Sequence, residues 1–216
     1  MQGLMQDQPL TLDVIFRHVE RHHGDASIVT NGPGGVTRTT YAQWTERTRR
    51  LGGVLDALGV SSGGRVGTFG WNSQRHLELY FAVPCSGRVL HTLNIRLFPE
   101  QLTYIVNHAD DEVIFVDRSV LPILWPCLES VPGVRHVVVM DDGSSHEIPH
   151  DPRIRDYEGL LSVAEPADFH VSDERSAASM CYTSGTTGHP KGVVYSHRST
   201  YLHTVSTLSA NAFGLS

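Results

Sequence analysis

The chain has 216 residues, 40% of them hydrophobic and 19% charged, with a formal net charge of -6. No stretch approaches the ~20 consecutive apolar residues that a spanning helix needs. No basic stripe suits a nucleic-acid backbone, and the opening MQGLMQDQPL lacks the basic and apolar regions of a secretory signal. The composition predicts a globular protein in the cytoplasm, with no transmembrane segment and no nucleic-acid partner.

In TLDVIFRHVERHHG, Leu12, Ile15, Phe16 and Val19 recur at helical spacing and Gly24 stands where the helix should end. ASIVT and GVTRT flank the turn signal NGPGG and predict a hairpin. Thr40 and Gln43 form a candidate capping box for a helix through Leu58, closed by Gly59. Strand-like RVGTFG, RVLHTL, EVIFVD and VRHVVVMD then alternate with helical RHLELYFAVPCSG, PEQLTYIVNHA and SVLPILWPCLESV, the last a helix or a broken helix. Pro99 fits the first turn of its helix, where its missing N–H costs nothing. Asp141 to Pro152 reads as a surface loop, followed by a short helix around YEGLLSV and a second loop around AEPADFHVSDE. AASMCYTS is a buried-type strand, KGVVYSH a second strand, and HRSTYLHTVSTLSANAF a helix capped by Ser196. Short apolar strands separated by helices predict an α/β fold, a mostly parallel sheet with helices on both faces.

Cys85, Cys127 and Cys181 are far apart in apolar settings and predict buried free thiols rather than a metal or redox site. His18 and His22 have the i,i+4 spacing that could chelate a metal, with His23 beside them. They alternate with Arg17, Glu20 and Arg21 and no third ligand is evident, which favours a solvated helix face.

The segment TSGTTGHPKG, Thr183 to Gly192, contains the chain's single lysine, Lys191, among 17 basic residues. Gly, Ser and Thr after a strand present backbone N–H groups and hydroxyls suited to phosphate oxygens, and a lysine adds a compact charge unlike the planar arginine fork. A plain hairpin turn would use similar residues, but the length and a buried-type strand on each side argue for more. A P-loop does not fit: His189, Pro190 and Lys191 follow Gly188, and Gly192 occupies the place of the magnesium-binding hydroxyl.

YTSGTTGHPKGV resembles the phosphate-binding signature of the adenylate-forming superfamily, which includes acyl-CoA synthetases, firefly-type luciferases and the adenylation domains of peptide synthetases. The stretch from VGTFGWNSQRHLELY through EVIFVD, and KGVVYSHRST, are similar to medium- and long-chain fatty acyl-CoA synthetases. The resemblance implies activation of a fatty acid by ATP and Mg2+ to an acyl-adenylate, then transfer to coenzyme A. It assigns Thr183, Ser184, Gly185, Thr186, Thr187, Gly188 and Lys191 to the loop over the β- and γ-phosphates, with Thr186, Thr187 and Lys191 as donors. His189 falls at a variable position and receives no role. Asn94 and Arg96 suit a structural join between strand and helix, and His197 either a helix cap or a pocket wall.

No YGxTE-like motif, no ribose-binding aspartate and no C-terminal domain with the adenylation lysine is present. Residues 1–216 are therefore expected to be a partial N-terminal domain, its ending at Ser216 cut rather than finished, carrying no catalytic residue or metal ligand and inactive alone. A sheet cut partway would expose an edge and favour a homo-oligomer, and a fatty substrate would allow peripheral membrane contact. Two alternatives stay open: a non-catalytic phosphate-binding or scaffold module, and an acyl-AMP ligase or luciferase-like enzyme.

Overall fold

The computed structural model describes residues 3, 5, 7–33, 35–183, 189–209 and 212–213. Strands β1 (Ser27–Gly32) and β2 (Gly35–Thr40) form the predicted antiparallel hairpin. Strands β3 (Arg65–Phe69), β4 (Val89–Thr92), β5 (Asp111–Asp117), β6 (His136–Met140), β7 (Ile154–Asp156), β8 (Ala177–Thr183) and β9 (Lys191–Ser196) form one sheet in the order β7-β6-β5-β3-β4-β8-β9. Every pairing in that sheet is parallel except the last, β8 with β9.

The helices are α1 (Leu12–His22), α2 (Tyr41–Ala57), α3 (Gln74–Cys85), α4 (Pro99–Ala109), α5 (Leu121–Leu124) continued by a 3-10 turn (Trp125–Ser130), α6 (Tyr157–Val163) and α7 (His197–Thr207). Side chains along a strand alternate between faces, and here each face has its own core. Val66, Val113, Phe115 and Val138 join α1, α2, α3 and α6 in one. Phe69, Ile114, Val116 and Val137 join α4, α5 and the 3-10 turn in the other. The predicted layering is therefore observed, and it explains why these strands read as unbroken apolar runs.

Local signals mark the helix ends. Thr40 Oγ1 accepts from Gln43 N at 3.2 Å while Gln43 Oε1 accepts from Thr40 N at 3.0 Å, the capping box expected of α2. Ser196 Oγ accepts from Ser199 N at 3.1 Å and starts α7. Helix α1 ends just before Gly24, as expected. It closes at His22, with His23 N donating to Val19 O, and Gly24 O accepts from Ala42 N, tying α1 to α2. Gly53 in the middle of α2 costs roughly 0.5–1 kcal/mol of helix stability relative to alanine. A Cβ there would lie 1.9 Å from Glu165 O, so its absence lets residues 164–169 cross the helix.

Strands β3 and β5 are neighbours, yet β3 continues into α3 on one face and β5 into α5 on the other. Their C-terminal loops therefore lead to opposite faces, at the position where open α/β sheets form ligand crevices in general.

Glu78 of α3 is fully buried. It is held by Arg47 Nε at 2.6 Å and by the hydroxyl of Tyr157 and the amide of Gln74, joining α2, α3 and α6. Glu78→Ala leaves Arg47 with Glu158 alone and should lower unfolding free energy by about 3 kcal/mol in urea. Glu78→Gln, which keeps hydrogen bonds to the same partners, should lose less; equal losses would show that packing rather than this network sets the cost.

Candidate functional site

The segment around Lys191 joins the last two strands of the sheet. Thr183 ends β8, Lys191 begins β9, and the antiparallel register sets them directly opposite one another, with Tyr182 opposite Gly192. Because β8 runs parallel to β4, this bend emerges at the same sheet edge as the loops after β3 and β5. Of the residues assigned to the phosphate loop, Thr183 and Lys191 are thus brought together. Ser184, Gly185, Thr186, Thr187 and Gly188 lie outside the described residues. Both Thr183 and Lys191 are exposed, and among the described residues Lys191 enters no ion pair. An ammonium left in solvent beside a hydroxyl can meet an anion without first breaking an internal bond.

One expectation is corrected here. KGVVYS has the composition of a buried strand, but β9 is the sheet's exposed edge, with Val194 57% accessible. The bend is topologically a hairpin connection, and the argument from a buried strand on each side does not hold. The apolar residues continue onto α7 and its C-cap, where Leu202 and Val205 on the helix and Leu208 just after it are also exposed.

The junction of the loops after β3 and β5 carries a group that sequence reading missed. Asp117 ends β5, is buried, and accepts from Trp71 N at 2.6 Å. Trp71 Nε1 donates to Ser119 Oγ at 2.9 Å, closing the two loops over the carboxylate. Burial pushes the Asp117 pKa up to about 6; the Trp71 N–H opposes this and nearby Asp142 adds to it. A strand-terminal Asp after four apolar residues was the available sequence signal.

A separate cleft of about 650 Å3 is lined by residues including Arg47, Arg50, Gln74, Arg75 and Glu158. Its charges are largely answered internally, Arg47 and Arg75 both binding Glu158 at 2.8 and 2.9 Å, and neither β8 nor β9 contributes to its lining.

The remaining candidates have structural positions. Asn94 Oδ1 accepts from Arg96 N at 3.0 Å and Asn94 O from Leu97 N, forming the turn between β4 and α4. His197 is fully buried and its Nδ1 lies 3.3 Å from Leu12 N, so it caps α1 rather than its own helix, and burial lowers its pKa. His18 and His23 approach within 3.3 Å through their Nε2 atoms, with the His22 ring 5.0 Å from that of His18. Among the described residues no group of three or more side chains could hold a metal ion. Cys85 and Cys127 are buried as expected, whereas Cys181 is only partly so, because its strand lies next to the exposed edge.

A family model described as AMP-binding enzyme matches residues 15–215. The chain belongs to the AMP-binding enzyme family. It is 43% identical over its whole length to 3-methylmercaptopropionyl-CoA ligase of Ruegeria lacuscaerulensis and 40% identical to medium-chain-fatty-acid–CoA ligase of Ectopseudomonas oleovorans, spanning 40% of each. In three dimensions it is similar to the anthranilate CoA ligase AuaEII, solved with anthranoyl-AMP, at a TM-score of 0.78 and 22% identity over 92% of this chain and 37% of that one, a likeness of fold. The chain thus spans about 40% of the length of these curated relatives. Within its described residues no helix is long and apolar enough to cross a membrane.

Asp117 makes a pH-dependent contribution to this family member's stability. Its folded pKa of about 6 exceeds the ordinary 3.8, so the folded state holds the proton more tightly and the stabilisation present below pH 3.8 is lost as pH rises through 6. Asp117→Asn should therefore gain on the wild type by up to ~3 kcal/mol between pH 4 and pH 7 in urea unfolding. A pH-independent difference would show the carboxyl to be unshifted.

Proposed function

We propose that this chain is the N-terminal part of an ATP-dependent fatty acyl-CoA ligase, with residues 183–191 gripping the β- and γ-phosphates of the nucleotide. The observation that carries the reading is Lys191, the chain's single lysine, free of ion pairs among the described residues and facing Thr183 at the end of the parallel sheet where loops gather. A carboxylate is a poor acyl donor. Attack on the α-phosphate of ATP would give an acyl-adenylate and pyrophosphate, and the thiol of coenzyme A would then displace AMP. Negative charge grows on the departing pyrophosphate, and an ammonium aimed at it lowers that barrier. The chain's own part is to bind and orient the phosphates through Lys191, Thr183 and the loop hydroxyls and N–H groups of residues 184–188, with Thr186 and Thr187 as donors. Mg2+ would arrive with the nucleotide.

A fatty acid is the substrate class favoured by the similarity to the medium-chain ligase, while the Ruegeria relative is named for a short thioether acid. Residues 1–216 are read as a partial domain that binds nucleotide without turning over, in a cytoplasmic enzyme whose fatty substrate would allow peripheral contact with membranes. A non-catalytic scaffold and an acyl-AMP ligase are the competing outcomes. Titration of the chain with Mg·ATP by calorimetry should show Lys191→Ala weakened by ~1.5–3 kcal/mol, the range for a charged hydrogen bond. Equal affinity would remove this loop from the reading.

The exposed apolar side chains of β9 and α7, Val194, Tyr195 and Val205 among them, support the homo-oligomer. Size-exclusion chromatography should give an apparent mass that falls on dilution, and a dilution-stable monomer would exclude it.

A further inference from the structure

Helix α4 buries Leu102, Ile105 and Val106 in the second core and Ala109 in a small cluster with Val89 and Met180. On another part of its surface it presents Tyr104 and His108, one helical turn apart. Each meets one end of the bend between β8 and β9. His108 Nδ1 lies 2.6 Å from the hydroxyl of Tyr182, the residue before Thr183. The Tyr104 ring stacks on His189, two residues before Lys191, with centroids 4.6 Å apart and planes inclined by 21°.

We propose that Tyr104 and His108 of α4 are positioning residues for Lys191, clasping the two described ends of the bend so that the ammonium stands opposite Thr183. The proposal rests on the reading of this bend as the phosphate site. Tyr182 has a firm floor: its ring lies 5.2 Å from that of His91, which is fully buried and bonded through Nδ1 to buried Asp111 at 2.8 Å. Gly192 is the cross-strand partner of Tyr182, and a Cβ there would approach the Tyr182 ring to 3.2 Å. The glycine after Lys191 therefore lets the tyrosine lean across β9 toward α4. The stack and the hydrogen bond act on opposite ends of one connection, so together they restrict the separation and the tilt of its ends. Ordering those ends before the anion arrives lowers the entropic cost of binding.

The test uses the chain itself. Nuclear Overhauser spectra with labelled Tyr and His should show cross-peaks between the Tyr104 and His189 rings; their absence overturns the clasp whatever the nucleotide does. Calorimetry with Mg·ATP should then find Tyr104→Ala and His189→Ala each weakened about 3- to 10-fold, as expected for loss of an aromatic pair. The double variant should be little worse than either single one, and Tyr104→Phe, which keeps the stack, should stay within about twofold of the wild type. Equal thermal midpoints for Tyr104→Ala and Tyr104→Phe would separate positioning from folding. Wild-type affinity in Tyr104→Ala and His189→Ala, with Lys191→Ala weakened, overturns the clasp and leaves the phosphate reading standing. An unaffected Lys191→Ala removes the phosphate reading itself.

Discussion

A parallel sheet whose strands are apolar on both sides must be covered on both sides, and the rest of this molecule follows from that requirement. Alternate residues of β5 and β6 enter two separate cores, so helices have to leave the sheet in both directions. Neighbouring β3 and β5 send their helices to opposite faces, and Trp71 of the loop after β3 closes over Asp117 at the end of β5. All the parallel strands point the same way, so the bend after β8 emerges at the same edge. The constraint lapses at β9, which runs antiparallel and lies exposed.

Charge is divided in a way that fits the chemistry of the two cations. Arginine serves as a structural link: Arg47 ties α2 to α3 and α6 through Glu78 and Glu158, Arg49 holds Glu20 of α1 at 2.6 Å, and Arg135 binds Glu112 at 2.6 Å. A planar fork suits such fixed, two-pronged pairings. Lysine carries its charge on a flexible stem as a compact point, and the one lysine stands outside these pairings among the described residues. The strand pair and the two contacts from α4 fix its position, so the burden of orientation falls on its surroundings rather than on the side chain. The same logic explains why α4, which touches no proposed ligand, bears on the site: Tyr104 and His108 meet residues on either side of the bend.

The amino-acid sequence by itself determined the layered α/β fold and the helix caps at Thr40 and Ser196, and it marked the segment proposed to hold phosphate, because these depend on local periodicity, local hydrogen bonds and a long glycine- and hydroxyl-rich signature. It did not reveal β7, three residues at a sheet edge and too short to show a period. Nor did it reveal the antiparallel, exposed setting of β9, whose composition matches that of a covered strand. Only the tertiary structure decided that His197 caps a helix 185 positions away, that Asp117 is enclosed by a loop from another strand, and that His189 stacks on Tyr104. Each of these is a contact between residues distant in the chain, set by how sheet and helices pack, and no local pattern encodes it.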